Sequence, residues 1–111
     1  MKAAAMRNAI AAALLGAFGT LLFAASGRAE TIQIKIQNLA FTPQRVSAHV
    51  GDTIAWVNAD FFAHTATARN GAWDLIIPVN RTKSVVVKAA GTVEYYCKFH
   101  PNMIGTVDVT K

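Results

Sequence analysis

The chain contains one cysteine in 111 residues, Cys97, so no disulfide can close within it. Charge is scarce as well, at 15% of residues, and basic and acidic side chains are scattered. That leaves no concentrated basic face of the kind nucleic-acid binding needs. Beyond residue 30, no segment carries an apolar stripe at helical spacing for three turns, which excludes a helical bundle. Internal repeats, linkers, low-complexity segments and Met- or His-rich tracts are all missing. So is any Ser/His/Asp set or paired-carboxylate arrangement, which removes the common hydrolytic chemistries.

The N-terminus has an organisation of its own. Met1–Asn8 carries Lys2 and Arg7, Ala9–Ser26 has no charge, and Gly27-Arg28-Ala29 is a small-x-Ala site. This pattern predicts a cleaved signal peptide over 1–29 and an exported domain over 30–111, folding in the periplasm. An uncleaved anchor is the alternative, because the apolar run is only slightly short of a spanning helix. No cysteine lies near the junction, which excludes a lipoprotein, and no Arg-Arg pair points to twin-arginine export. The formal net charge of +5 includes Lys2, Arg7 and Arg28; from Glu30 onward 8 basic residues face 6 acidic ones, leaving +2. A domain of 82 residues is near the size at which a hydrophobic core alone supplies only a few kcal/mol. With no disulfide available, a metal is the other common staple.

Apolar residues then alternate with polar ones almost throughout. Ile32, Ile34 and Ile36 alternate in Thr31–Gln37; Val46, Ala48 and Val50 do so in Arg45–Val50; Ile54 and Trp56 share one face of Thr53–Asn58. Thr65–Ala68, Lys83–Lys88, Thr92–Cys97 and Gly105–Val109 complete about seven predicted strands. Phe41-Thr42-Pro43, Gly51-Asp52, Asn70-Gly71 and Ala89-Ala90-Gly91 interrupt them. Many short strands with turn signals between them predict an all-β antiparallel sandwich. Asp60–Ala63 and Asn70–Arg81 are the longer connections, and function concentrates on such loops.

From Glu30 onward the chain has one Cys, one Met and three His. Three of these five lie in Cys97-Lys98-Phe99-His100-Pro101-Asn102-Met103, a C-x-x-H-x-x-M loop between two predicted strands. His64 stands 33 residues before Cys97, at the end of another loop. One thiolate, two imidazoles and a thioether form the donor set that suits copper in an electron-transfer site. Imidazoles suit Cu(II) and soft sulfur suits Cu(I), so neither oxidation state is strongly preferred. Taken singly, each residue has a structural explanation: a small buried Cys, a Met filling the core, ordinary loop histidines. Zinc also accepts His and Cys, but Met is a poor zinc ligand. His49 falls on the Ser47 side of its strand, expected to face solvent, and is not counted as a ligand.

At these residues the chain resembles the cupredoxins, and within them the amicyanin and plastocyanin-like branch. The resemblance spans Thr31–Val109. It includes Phe41-Thr42-Pro43, Val50-Gly51-Asp52-Thr53-Ile54-Ala55-Trp56-Val57-Asn58, His64-Thr65, and Gly91-Thr92-Val93-Glu94-Tyr95-Tyr96-Cys97 running into His100-Pro101-x-Met103. It implies a Greek-key β-sandwich holding one copper ion on His64, Cys97, His100 and Met103. His100 would be the solvent-facing ligand, set in an apolar patch; Asn58 or Thr65 would tie the ligand loops together by hydrogen bonds. Ala63 replaces the usual Pro before the first His, Lys98-Phe99 replaces a common Thr-Pro, and Val93 replaces an aromatic.

The resulting expectation is a monomeric periplasmic one-electron carrier, not an enzyme, with no small-molecule substrate and no nucleic acid. Its partners would be transient redox proteins, a dehydrogenase or a c-type cytochrome being the candidates the resemblance suggests. Pro101, Met103, Phe61, Phe62 and Ala63 are expected to form the docking patch, with Lys98 adding charge at its rim. A periplasmic copper carrier or buffer is the alternative. A multicopper enzyme would couple its centres through His residues flanking the Cys, whereas Tyr96 and Lys98 flank Cys97.

Overall fold

The structure, a computed structural model, describes residues 28–111, so the expected leader up to residue 27 lies outside the described residues. Nine strands follow one another: β1 (Thr31–Gln37), β2 (Ala40–Thr42), β3 (Arg45–His49), β4 (Thr53–Asn58), β5 (His64–Ala68), β6 (Asp74–Ile77), β7 (Thr82–Val86), β8 (Gly91–Tyr96) and β9 (Ile104–Thr110). They form a Greek-key sandwich of two sheets, ordered β2-β1-β4-β7 and β3-β9-β8-β5-β6.

The period-two pattern decides which side chains enter the core. Ile34, Ile36, Ile54 and Trp56 point inward from the first sheet, and Val46, Ala48, Ala66, Tyr95, Val107 and Val109 from the second. Polar neighbours such as Gln33, Lys35 and Ser47 stay outside, so β1 and β3 bury one face, whereas β5 is buried on both. Val50 departs from the expected alternation and is exposed. Strand β3 already ends at His49, and the chain turns at Gly51, whose φ of 98° favours glycine.

Two expectations need correction. The sandwich is mixed rather than antiparallel: β1 runs parallel to β4, and β3 parallel to β9. In both cases the chain visits the other sheet between the partners, the crossover a parallel pair needs. There are nine strands, not about seven. The three-residue β2 precedes Pro43, which reads as a break, and β6 lies inside the connection expected over Asn70–Arg81. Strand β6 escapes the alternation rule because Leu75 is only half-buried and Ile76 is exposed, so no clean apolar face marks it.

Beneath the site described below, Phe41, Trp56, Trp73 and Tyr95 pack as an aromatic cluster. Tyr95 meets Phe41 edge-on at 4.7 Å between ring centroids and Trp56 at 5.3 Å. Tyr95 pairs with Gly105 across β8–β9, and its ring lies directly over that glycine. A Cβ built on Gly105 would come within 2.2 Å of the ring, so only glycine fits beneath the tyrosine. Gly105→Ala is therefore expected to lower stability by about 1–3 kcal/mol, the usual cost of overpacking a core. Urea unfolding of the two proteins measures it, and equal midpoints would show that the ring can move aside.

Candidate metal centre

One end of the sandwich gathers the loop between β4 and β5 and the loop between β8 and β9. Strands β5 and β8 are antiparallel neighbours, pairing Thr67 with Tyr96 and Ala68 with Tyr95. His64, first in β5, and Cys97, just after β8, therefore lie at the same end of the sheet.

The Cys97–Met103 loop is wound by its own backbone. His100 N–H donates to the Cys97 carbonyl at 3.3 Å, and Met103 N–H to the His100 carbonyl at 2.9 Å. Cys97 N–H then donates to the Met103 carbonyl at 3.1 Å, closing the loop on itself. Two successive i to i+3 turns thus explain the spacing: Cys97, His100 and Met103 recur once per turn.

His64 Nδ1 lies 3.7 Å from Cys97 Sγ, and His100 Nδ1 lies 3.9 Å from the same sulfur. All three donor atoms fall within 4.8 Å of one another. Bonds of about 2.0 Å to nitrogen and about 2.3 Å to sulfur, meeting at the roughly 120° of a trigonal plane, would hold N and S about 3.7 Å apart. A tetrahedral angle would bring them to about 3.5 Å. The observed 3.7 and 3.9 Å leave room for an ion bound in this way, and a soft thiolate between two imidazoles is a copper donor set. This His-Cys-His site fits one copper ion.

Hydrogen bonds hold these side chains in place. His64 is fully buried, and its Nε2 lies 2.9 Å from Oδ2 of Asp60, so Nδ1 is the nitrogen left to face the sulfur. The same carboxylate accepts the Leu39 N–H at 3.0 Å and the Phe61 N–H at 3.1 Å. Burial opposes the charge on Asp60. Bonds from Leu39, His64 and Phe61 outweigh it and hold the carboxyl below its ordinary range. Thr65 joins the two loops: its N–H donates to Cys97 Sγ at 3.3 Å, and its Oγ1 accepts the Lys98 N–H at 2.8 Å. Asn58 braces the His64 loop instead. Its Nδ2 donates to the carbonyls of Phe62 and Ile77, and its Oδ1 accepts the Asp60 N–H.

Residues 9–109 match the family model of the cupredoxin-like domain. This chain belongs to the cupredoxin family. Amicyanin-alpha of Methylorubrum extorquens is 31% identical over 118 aligned positions, covering 94% of this chain and 99% of its own. Among solved structures, a purple cupredoxin from Nitrosopumilus maritimus superposes with a TM-score of 0.65 at 26% identity, covering 71% of this chain and 99% of that one. An amicyanin variant in its Cu(I) form gives a TM-score of 0.64 at 26% identity, covering 78% and 87%.

The cupredoxin's surface around His100 differs from expectation in two respects. Met103 is only 4% exposed and contributes to the core, not to an apolar patch. Lys98 is not a free rim charge: its Nζ lies 2.6 Å from Asp74 Oδ2, and the pairing raises the lysine pKa and lowers that of the carboxyl. Phe61, Phe62, Ala63 and Pro101 are exposed as expected. The half-buried His100 ring lies 5.8 Å from the Phe62 ring and 5.0 Å from the His64 ring, centroid to centroid. Leu39 and Phe99, which the sequence reading missed, also line the surface beside His100 and Met103. His49 is exposed on its strand and remote from this cluster.

Asp60 was missed as well. A lone acidic residue four positions before a histidine carries little signal; its role depends on burial and on the Leu39 turn reaching it. Asp60→Ala should weaken copper binding by about 10–100-fold, the usual cost of removing a partner that orients a metal-binding histidine. Competition titration against a chelator of known affinity measures this, and an unchanged affinity would show that the carboxylate only braces the loops.

Proposed function

We propose that this cupredoxin is a periplasmic one-electron carrier whose copper ion is held by His64 Nδ1, Cys97 Sγ, His100 Nδ1 and the thioether of Met103. The observation that carries the reading is the pair of imidazole nitrogens 3.7 and 3.9 Å from the single thiolate. When bound, the copper ion supplies reversible Cu(II)/Cu(I) chemistry. The protein's part is to hold the donor atoms so that little moves when the charge changes. Cys97 and His64 are fully buried and braced by Thr65 and Asp60, and the loop closes on its own backbone.

Copper buffering would use the same ligands but requires the ion to leave easily. Buried, braced donors support retention instead, and so does the short closed loop. The chain's own route to a partner is the His100 edge, half-buried among Phe61, Phe62, Phe99, Leu39 and Pro101. Phe61 is 90% exposed, which is costly for a side chain with no partner to cover it. A small apolar surface of this kind suits brief redox encounters with a dehydrogenase or a c-type cytochrome.

Adding Cu(II) to the mature protein should produce an intense visible sulfur-to-copper charge-transfer band. Cys97→Ser should abolish it, whereas Met103→Leu should keep the colour and raise the reduction potential. A colourless protein at full copper occupancy would overturn the reading; an unchanged potential in Met103→Leu would remove Met103 from the ligand set.

The docking surface has its own test. Phe61→Ala should leave the spectrum unchanged and slow electron exchange with a c-type cytochrome by about tenfold, the scale of losing one interface anchor. Stopped-flow mixing reads the rate. An unchanged rate would place docking elsewhere on the molecule.

A further inference from the structure

At the opposite end of β4 lies a second buried carboxylate, which the copper chemistry does not use. Asp52 is 2% exposed; its Oδ2 accepts the His49 N–H at 2.8 Å and its Oδ1 the Glu30 N–H at 2.9 Å. These bonds, that from His49 first, outweigh burial and hold the carboxyl below its ordinary range. Glu30 is fixed on its other side too, since its carbonyl accepts the Thr53 N–H at 2.8 Å where the β1–β4 pairing begins. Arg28 and Ala29 are exposed and belong to no strand. The bond predicted to be cut is therefore open to a peptidase, and the nitrogen it would release already sits on Asp52.

We propose that cleavage between Ala29 and Glu30 creates a part-buried ion pair, in which the new α-ammonium of Glu30 replaces the peptide N–H on Asp52. The proposal rests on the reading of residues 1–29 as a cleaved leader. Hydrolysis breaks the Ala29 C–N bond. Water's oxygen completes the Ala29 carboxylate, and its two hydrogens turn the Glu30 nitrogen into an ammonium group. Cleavage also removes Arg28 from the pocket that it lines with Glu30, His49, Val50, Asp52 and Lys111. The groups then facing the new ammonium are the Asp52 carboxylate, the His49 ring (Nδ1 3.8 Å from Asp52 Oδ2), the Glu30 side chain and Lys111. A charge-assisted hydrogen bond is about twice as strong as a neutral one, and the burial of Asp52 reduces its screening by salt. Processing would thus fasten the start of β1 to β4 and make the mature chain more stable than any form extended past Glu30.

The test starts with the mass and N-terminal sequence of the full chain after export, which should begin at Glu30. The mature chain is then compared with the same chain carrying one extra glycine before Glu30, released from a cleavable fusion; the glycine keeps the N–H bond and removes the charge. The extended form should unfold with an equilibrium constant about tenfold larger, the scale of a hydrogen bond to a charged group. That gap should close when Asp52→Asn is placed in both chains. If Asp52→Asn does not fold, titration of the Glu30 α-amine by NMR decides, with a pKa above the ordinary value of about 7.7–8.0 expected. An exported product starting at another residue overturns the processing step. Equal stability of the two mature forms, with the α-amine titrating at its ordinary value, overturns the ion pair.

Discussion

The joint between Thr65 and the loop after β8 is the contact on which the metal centre depends. Strands β5 and β8 pair through only two residues each, Thr67 with Tyr96 and Ala68 with Tyr95. Beyond that point the sheet no longer holds the two ligand loops together, and Thr65 takes over with its N–H on Cys97 Sγ and its Oγ1 under the Lys98 N–H. Its hydroxyl is bonded in turn to Thr67, and Thr67 to Asp74. A short polar chain therefore carries the position of the sulfur back to β6. Without that joint, His64 and Cys97 would be ends of two separate loops rather than one donor set.

Around this joint the site divides into a fixed half and an open half. Cys97 and His64 are enclosed, and each has a hydrogen-bonding partner that restricts its orientation. His100 sits at the boundary, with one nitrogen toward the sulfur and its ring beside Phe62. Burial keeps water from the sulfur and limits rearrangement, while the half-buried His100 ring reaches the surface. Lys98, next to this loop's Phe99, is paired with Asp74. Apolar contact rather than charge is thus the main attraction this face can offer.

Much of this was legible in the sequence, because its two strongest signals are local. Alternation places a side chain on one face regardless of what the rest of the chain does, so Ile34, Ile36, Ile54 and Trp56 were readable as core. The spacing of Cys97, His100 and Met103 is equally local, since each interval is one backbone turn. What escaped was non-local. Parallel pairing of β1 with β4 depends on the intervening path through the other sheet. Strand β6 exists because β5 offers it an edge, not because Asp74–Ile77 alternates. Burial of Met103 and pairing of Lys98 with Asp74 depend on neighbours distant in sequence.

Asp60 shows why such features are invisible beforehand, and what they accomplish. The β1–β2 turn consists of Asn38 and Leu39, both at positive φ (54° and 58°), a tight two-residue hairpin turn that glycine usually completes. Leu39 is a poor residue for that conformation, and the Asp60 carboxylate accepts its N–H there. One buried carboxylate therefore stabilises an unfavourable turn, orients the His64 ring and caps the Phe61 backbone. The turn in turn sets Leu39 beside His100 and Met103. Asp52 does comparable work at the other end of β4, gathering the N–H groups of Glu30 and His49. A carboxylate can accept several bonds at once, so it can tie together segments that no regular ladder joins. In a domain without disulfides, these two aspartates bracket the central strand and fasten the irregular ends that the sheets leave loose.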